Sequence, residues 1–236
     1  MKNHGPAEKV LLYHAVSEDR DFPASTGTNV TPAEFARQVL FLSRNYSAVR
    51  LGSGETPAGP TGKPPLALTF DDGYRDNFET AYPVLARSGI PVTFFLTVSR
   101  VGTDWAFPRG EYPGLTWEQV REMDRNPLVD FGSHGHTHRI LTGMPEEEAA
   151  AEIERSKAVL EERLARPIDY FSYPHGSYNR RVKELVRKAG YRAAYSVISG
   201  GEDDFSRRRI LVSRRDSLFR LRLKLSPLYW PLRRII

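Results

Sequence analysis

The sequence contains no cysteine among its 236 residues. Disulfide bonds, thiolate metal sites and cysteine nucleophiles are therefore excluded. The chain also lacks a run of about 20 apolar residues, which a membrane-spanning helix needs. Its polar first nine residues lack the apolar stretch of a signal peptide. These absences predict a cytoplasmic protein.

The composition is that of a globular chain, with 40% hydrophobic and 11% aromatic residues. This length suits a single α/β domain with a buried core. The net charge of +5 is distributed unevenly. Residues 207–236 contain ten Arg or Lys and one acidic residue, whereas the remaining residues carry a net charge of −4. The body is mildly acidic and the C-terminal segment strongly basic.

Predicted strands and helices alternate along the chain. The strands fall at 9–16, 48–49, 66–70, 91–98, 128–131, 168–173, 191–197 and 206–215, and the helices at 31–44, 77–88, 116–127, 145–164, 180–189 and 216–225. Alternation without hairpins predicts a parallel sheet in a single domain, closed into a barrel in preference to an open sheet. We divide the chain into an N-terminal tail (1–9), a catalytic domain (10–215) and a basic amphipathic segment (216–236). Residues 51–65 form a predicted surface loop.

Two carboxylates follow the most apolar predicted strand. The run from Leu66 to Phe70 leads directly into Asp71, Asp72 and Gly73. Active sites of α/β barrels lie at the carboxyl ends of the strands. Adjacent side chains leaving a strand point in different directions, so one carboxylate is able to hold a metal while the other moves a proton. The alternative is a solvated Asp-Asp-Gly turn.

Three of the six histidines lie within residues 134–138, directly after another predicted strand. His134 and His138 are four residues apart, so a helical turn would place them on one face. His136 points elsewhere in that geometry. One carboxylate and two imidazoles suit a catalytic divalent metal. Zinc is the default, with cobalt, nickel and iron as alternatives.

A third polar segment, residues 171–179, also follows a strand. The backbone amide of His175 is a candidate donor to an oxyanion, and the alternative is a Pro-Gly turn at the barrel rim.

Residues 99–115 form an aromatic loop, which suits either stacking on a sugar ring or hydrophobic cover for the barrel.

These three segments together resemble the motifs of the polysaccharide deacetylase family, the NodB-like enzymes of carbohydrate esterase family 4. The first match is residues 69–73, the second is residues 133–138, and the third is residues 173–176, where the family usually has Tyr at the position of His175. The resemblance extends from about Leu11 to Ser226. It implies a distorted (β/α) barrel and metal-dependent removal of an N-acetyl group from an amino sugar. It also implies the roles of Asp71 as general base, of Asp72, His134 and His138 as metal ligands, and of the His175 amide as oxyanion donor.

The chain departs from the family pattern at several points. Ser172 stands where the family has an Arg that orients the base, and the fourth motif has no clear counterpart near 191–197. No histidine follows His175, although the family's general acid is a late histidine. Some members resemble a rearrangement in which a Tyr-His pair on the first strand supplies this acid, and Tyr13-His14 fits that variant. We therefore predict His14 as general acid, the alternative being a buried core histidine.

The basic segment 216–236 places Leu218, Leu221, Leu225 and nearby Phe219 on an amphipathic helix. Such a helix suits an anionic membrane surface or closure of the barrel bottom. Nucleic-acid binding is not expected, because no recognition motif accompanies the charge. The predicted substrate is an N-acetylated glycan or its lipid-linked precursor, met at the inner face of the membrane. The competing functions are hydrolysis of a small non-sugar amide and an inactive barrel that binds glycan or membrane.

Overall fold

The structure, a computed structural model, describes residues 9–18, 27–52, 62–107, 110–197 and 203–226. The strands are β1 (Lys9–Tyr13), β2 (Ala15–Val16), β3 (Asn29–Val30), β4 (Ser47–Ala48), β5 (Pro65–Phe70), β6 (Val92–Leu96), β7 (Asp104–Phe107), β8 (Gly110–Pro113), β9 (Val129–Ser133), β10 (Tyr170–Ser172), β11 (Ala193–Ser196), β12 (Arg207–Arg208) and β13 (Ile210–Leu211). The helices are α1 (Pro32–Asn45), α2 (Tyr82–Ser88), α3 (Trp117–Asp124), α4 (Glu146–Leu164), α5 (Arg180–Lys188) and α6 (Leu218–Leu225).

Nine strands form a parallel sheet, in which eight follow the order β12-β11-β10-β9-β6-β5-β1-β13 and the short β4 pairs with β5 beside this path. The two edge strands are consecutive in sequence and are separated only by Arg209. One short segment, Arg207–Leu211, therefore pairs with β11 on one side and with β1 on the other. The result is a nearly closed parallel barrel surrounded by helices, and the predicted barrel is confirmed.

Residues on the central strands alternate between the helix layer and the barrel interior, as the two-residue repeat of a strand requires. Phe70 at the end of β5 packs edge-on against Phe35 of α1, with ring centroids 5.9 Å apart. Ala67, on the opposite face of β5, joins an interior cluster with Val10 and Phe95. Continuation of this alternation directs Asp71 into the barrel.

Several predicted helix signals are present in the structure. The Thr31 hydroxyl accepts a hydrogen bond from the backbone N–H of Glu34 at 3.2 Å, and proline follows at the first position of α1. Thr116 and Gln119 form a reciprocal capping box at the start of α3. Gly89 ends α2 in the left-handed conformation, with φ of 63°. These caps fix where the helices leave the strand ends.

Other predictions need correction. The first predicted strand is broken at His14, so β1 and β2 are separate and the site histidine lies at the break. The aromatic segment predicted as a loop contains an antiparallel hairpin, β7–β8, in which Trp105 pairs with Tyr112. Helix α2 is preceded by a π-helical turn at Asn77–Ala81. Part of the predicted loop at 51–65 lies outside the described residues.

The sequence leaves both membrane contact and closure of the barrel bottom open for the basic C-terminal helix, and in the structure this helix packs onto the barrel core. Leu221 and Leu225 of α6 are buried against the barrel and do not form an exposed apolar face. Phe219 points outward and is 75% exposed. Residues 227–236 lie outside the described part of the chain. Where the structure describes the chain, it contains no helix with the length and hydropathy needed to cross a bilayer.

Candidate active site at the strand ends

The predicted site residues converge on one cleft at the carboxyl ends of the barrel strands. The cleft has a volume of about 540 Å³ and is lined by Asp71, Asp72, His134, His138, His14 and His175. These six residues lie in the segments that follow four different strands, β1, β5, β9 and β10. The parallel barrel therefore assembles the cluster from positions far apart in sequence.

Asp72, His134 and His138 offer one ligand atom each, all within 4.8 Å of one another. The Nε2 atoms of His134 and His138 lie 3.4 Å and 3.2 Å from Oδ1 of Asp72. Ligands about 2.0–2.1 Å from a tetrahedral ion are separated by distances of this size. The residues therefore fit the divalent metal that the sequence predicts.

Two further observations favour metal ligation by this cluster. Oδ1 of Asp72 is buried and has no hydrogen-bond partner among the described residues, although such an atom ordinarily needs one. The Nδ1–H of His134 donates to the carbonyl oxygen of Ser172 at 2.8 Å, which leaves Nε2 free to act as a ligand.

The charges within the cluster stabilise one another. Burial opposes ionisation of Asp72, but the imidazoles of His134 and His138 outweigh it and hold the pKa of Asp72 well below its usual value. Burial also disfavours the charged form of His134 and so lowers its pKa. The carboxylates of Asp71 and Asp72 raise this pKa by more than burial lowers it, so the net pKa lies above the ordinary value. The site is thus built around negative charge that attracts a cation.

The backbone of the site adopts unusual conformations. Asp72, His138 and His175 have positive φ angles of 77°, 65° and 56°. Within the described ranges only one other non-glycine residue, Ala165, does so. This conformation costs an L-residue about 1–2 kcal/mol. Such outliers cluster at functional sites, where the surrounding structure enforces them.

The predicted reason for the pairing of His134 and His138 is wrong. Residues 134–138 form no helical turn; they follow β9 as an irregular bend. The left-handed conformations of Gly135 and His138 reverse the chain and bring the two imidazole rings to a centroid distance of 4.9 Å. His136 lines a separate small cavity, in agreement with its predicted exclusion from the ligand set.

Asp71 is held by a buried arginine that the sequence analysis missed. Nη1 and Nη2 of Arg209 donate to Oδ1 and Oδ2 of Asp71 at 2.7 Å and 2.6 Å. The Ser172 hydroxyl accepts from Nη2 of Arg209 at 2.6 Å and donates to Oδ2 of Asp71 at 2.9 Å. Arg209 therefore contacts Asp71 both directly and through Ser172, which stands at the position of the motif arginine.

The bidentate contact with Arg209 favours the ionised form of Asp71. Burial raises the pKa of the carboxyl group, but the guanidinium of Arg209 outweighs it, and the net pKa lies below the usual value. The arginine itself is only 2% exposed. Asp71 is therefore an anion whose oxygens are fixed by a bidentate partner.

The two remaining predicted residues border the same cleft. His14 contributes a buried Nδ1 atom without a hydrogen-bond partner in the described structure, and burial lowers its pKa. His175 is exposed, and its ring lies 4.5 Å from that of His138. None of the described backbone hydrogen bonds uses the His175 N–H.

The β7–β8 hairpin forms an aromatic wall beside the cluster. The rings of Trp105 and Phe107 are nearly parallel, with centroids 6.3 Å apart, and both line the cleft. Trp105 also contacts His138 edge-on, with centroids 5.2 Å apart. The sequence analysis missed this hairpin. Its available signal was the placement of Trp105 and Phe107 before, and Tyr112 after, Pro108 and Gly110.

The fold and the cleft define a single-domain (β/α) barrel with an acidic, histidine-rich site at its strand ends. The chain belongs to the polysaccharide deacetylase family, whose profile matches residues 58–194. Ser172 and Arg209 mark where this member departs from the motifs named above.

Individual relatives span most of the chain. The Bacillus subtilis protein YxkH is 27% identical over 205 residues, which cover 85% of this chain and 68% of that protein. A poly-β-1,6-N-acetyl-D-glucosamine N-deacetylase of Staphylococcus aureus is 25% identical over 201 residues, covering 78% and 68%. The structure of IcaB from Ammonifex degensii superimposes with a TM-score of 0.74, at 27% identity over 92% of this chain and 96% of that one. The deacetylase PplD of Streptococcus pyogenes shares the fold, with a TM-score of 0.79 at 23% identity, covering 93% and 98%.

Proposed function

We propose that this protein is a metal-dependent hydrolase that removes N-acetyl groups from an amino-sugar polysaccharide or its lipid-linked precursor. The observation that carries the proposal is the arrangement of two adjacent carboxylates in one cleft. Asp72 faces two histidines, whereas Asp71 is fixed by Arg209. This separation gives one carboxylate to a metal and leaves the other for proton transfer.

In this proposal Asp72, His134 and His138 hold the divalent ion, with zinc as the default and cobalt, nickel or iron as alternatives. When bound, such an ion supplies a water of lowered pKa and polarises the substrate carbonyl. The donor set of one carboxylate and two imidazoles leaves open positions for both.

Asp71 is proposed to accept the proton of the attacking water. Its low pKa makes it a weak base, so its contribution comes mainly from position, which Arg209 and Ser172 fix. The water oxygen bonds to the acetyl carbon, and the resulting oxyanion accepts a hydrogen bond from the backbone N–H of His175.

His14 is proposed to protonate the leaving nitrogen as the C–N bond breaks, giving acetate and a free amine. The lowered pKa of His14 makes its protonated imidazole a stronger acid than an ordinary histidine, and it also lowers the fraction of His14 that is protonated at neutral pH. Its unpartnered Nδ1 leaves a ring nitrogen available for this transfer.

The amino-sugar substrate is supported by the relative from Staphylococcus aureus, whose name specifies an N-acetylglucosamine polymer. The cleft agrees with such a ligand, because Trp105 and Phe107 line it with aromatic surface. Aromatic rings suit the apolar faces of sugars while polar groups fix orientation.

The proposal is tested by acetate release from N-acetylglucosamine oligomers, using metal-stripped protein and protein reconstituted with Zn²⁺ or Co²⁺. We expect activity only after reconstitution, and a loss of about 10²-fold or more for Asp71→Asn. His134→Ala should lose metal and activity together. His136→Ala is the matched control, because this neighbouring histidine lies outside the cluster, and it should retain both.

Full activity of Asp71→Asn, or turnover by protein shown to be free of metal, would overturn the mechanism. Absence of both turnover and metal binding would instead favour an inactive binding barrel. Metal binding with turnover of small amides but not of glycan oligomers or lipid-linked amino sugars would overturn the proposed substrate class.

A further inference from the structure

Helix α6 has apolar residues on two opposite faces. Leu221 and Leu225 are buried against the barrel, whereas Phe219 and Leu223 are 75% and 41% exposed. Phe219 and Leu223 are four residues apart and therefore neighbours on the outer face. We call Phe219, Leu223 and the arginines beside them the α6 patch. Burial of the inner pair already attaches the helix, so the outer pair is not needed to close the barrel.

Arginines lie on both sides of this apolar pair. Arg220 and Arg222 are exposed, and at 3.6 residues per turn they fall on opposite flanks of the outer face. The guanidinium of Arg222 lies 5.5 Å from the ring centroid of Phe41 on α1. The basic surface therefore continues from α6 onto the neighbouring helix.

The surrounding acidic groups do not neutralise this charge. Residues 32–45 and 216–225 together contain five basic residues and two acidic ones. Asp216 is buried and lies 2.6 Å from Lys224, while Glu34 is paired with Arg37 at 2.6 Å. The α6 patch therefore carries uncompensated positive charge around exposed apolar side chains.

This combination determines the kind of partner. A second copy of the chain would place like charges opposite one another, which is unfavourable. Residues 227–236 include apolar residues but contain two arginines and no acid, so they complement the apolar pair but not the charge of the patch. An anionic bilayer complements both features, because its headgroups attract arginine and its interface accepts Phe and Leu.

We propose that the α6 patch docks the protein on an anionic phospholipid bilayer. The inference is separate from the proposed activity. Of the apolar residues predicted for this helix it uses Phe219, together with Leu223, and leaves Leu221 and Leu225 to the core. The direction of α6 also determines where the patch lies relative to the cleft. The Lys9 side chain at the start of β1 donates to the carbonyl of Leu225, so α6 ends at the barrel end opposite the cleft. Phe219, in its first turn, lies toward the cleft end.

The test is co-sedimentation of the full chain with vesicles of phosphatidylglycerol and phosphatidylcholine, or of phosphatidylcholine alone. We expect binding to the anionic vesicles that weakens with salt. Phe219→Ser combined with Leu223→Ser should lower the partition coefficient about tenfold. Ile140→Ser is the matched control, since Ile140 is 50% exposed on another surface, and it should bind like the wild type.

A second pair of variants separates charge from apolar contact. Arg220→Gln with Arg222→Gln should weaken binding to anionic vesicles about tenfold, whereas Arg121→Gln with Arg125→Gln on the α3 side should not. All these side chains are exposed, so circular dichroism should report an unchanged fold.

Three results would overturn the proposal. The first is undiminished vesicle binding by the Phe219 and Leu223 double variant. The second is equal binding to neutral and anionic vesicles. The third is concentration-dependent self-association that this double variant abolishes, which would identify a second copy of the chain as the occupant.

Discussion

Replacement of Arg209 by methionine should disable the enzyme and destabilise it together. The substitution removes two charge-assisted hydrogen bonds to Asp71, at 2.7 Å and 2.6 Å. It also removes those to Ser172 and Thr69, at 2.6 Å and 3.2 Å. Asp71 would remain 2% exposed, with the Ser172 hydroxyl as its remaining side-chain donor in the described site.

The magnitude follows from the buried carboxylate that remains. Removal of one partner of a buried ion pair costs about 3–5 kcal/mol, because the other charge is left uncompensated. Without the guanidinium, burial would raise the pKa of Asp71 with the charges of His134 and His14 left to oppose it. The loss of stability should therefore be largest near neutral pH and smaller at acidic pH, where Asp71 takes up a proton.

Measurement of kcat in folded Arg209 variants separates the positioning of Asp71 from the stability of the fold. Arg209→Lys keeps the charge but not the planar fork, so we expect a folded protein with lower kcat and a nearly unchanged KM. Added guanidinium should partly restore Arg209→Ala. Arg207→Met is the matched control, because Arg207 forms an ion pair with Asp204 in which the side chains are 38% and 64% exposed, and such pairs contribute at most about 1 kcal/mol. Wild-type kcat in folded Arg209→Met would refute the reasoning.

Three further outcomes are expected. Burial raises the pKa of Asp76 from 3.8 to about 6, so its contribution to stability is complete below about pH 4 and falls by about 3 kcal/mol as pH rises through 6. The free energy of unfolding in urea, measured against pH, should lack this fall in Asp76→Asn. Parallel pH curves for the variant and the wild type would contradict the prediction. Gly73→Ala should cost more stability than Gly89→Ala, because both glycines have positive φ but an added Cβ would lie 2.9 Å from Leu96 Cδ2 only at Gly73; equal losses would argue against that contact. Zn²⁺ should raise the Tm of the metal-stripped wild type and of His136→Ala, but not of His138→Ala, and a raised Tm in His138→Ala would remove it from the ligand set.

The local parts of the site were predictable because their signals are local. An apolar run ending in Asp71-Asp72-Gly73 is a strand followed by a tight turn wherever the strand lies in the barrel. The grouping of His134 with His138 was also predictable from sequence, although the predicted helical turn was not the cause. Positive φ at His138 follows from packing of the bend, which sequence spacing does not show.

The contact of Arg209 with Asp71 was not predictable, because it joins residues that are far apart in the sequence. Arg209 lies 138 residues from Asp71 along the chain and meets it only after the barrel has closed. Its local context, among Arg207 and Arg208 in a basic segment, is that of a solvent-exposed charge. Knowledge of which face of the last strands points inward was needed to separate it from its neighbours.

The Arg207–Leu211 segment has a consequence for when the protein becomes active. It is the seam at which the last two described strands meet the first, since β13 pairs with β1. Arg209 lies in the middle of that seam and supplies the counter-ion of Asp71. A chain whose seam is open lacks the partner that fixes its base, so completion of the fold and competence for the proposed reaction arrive in one step.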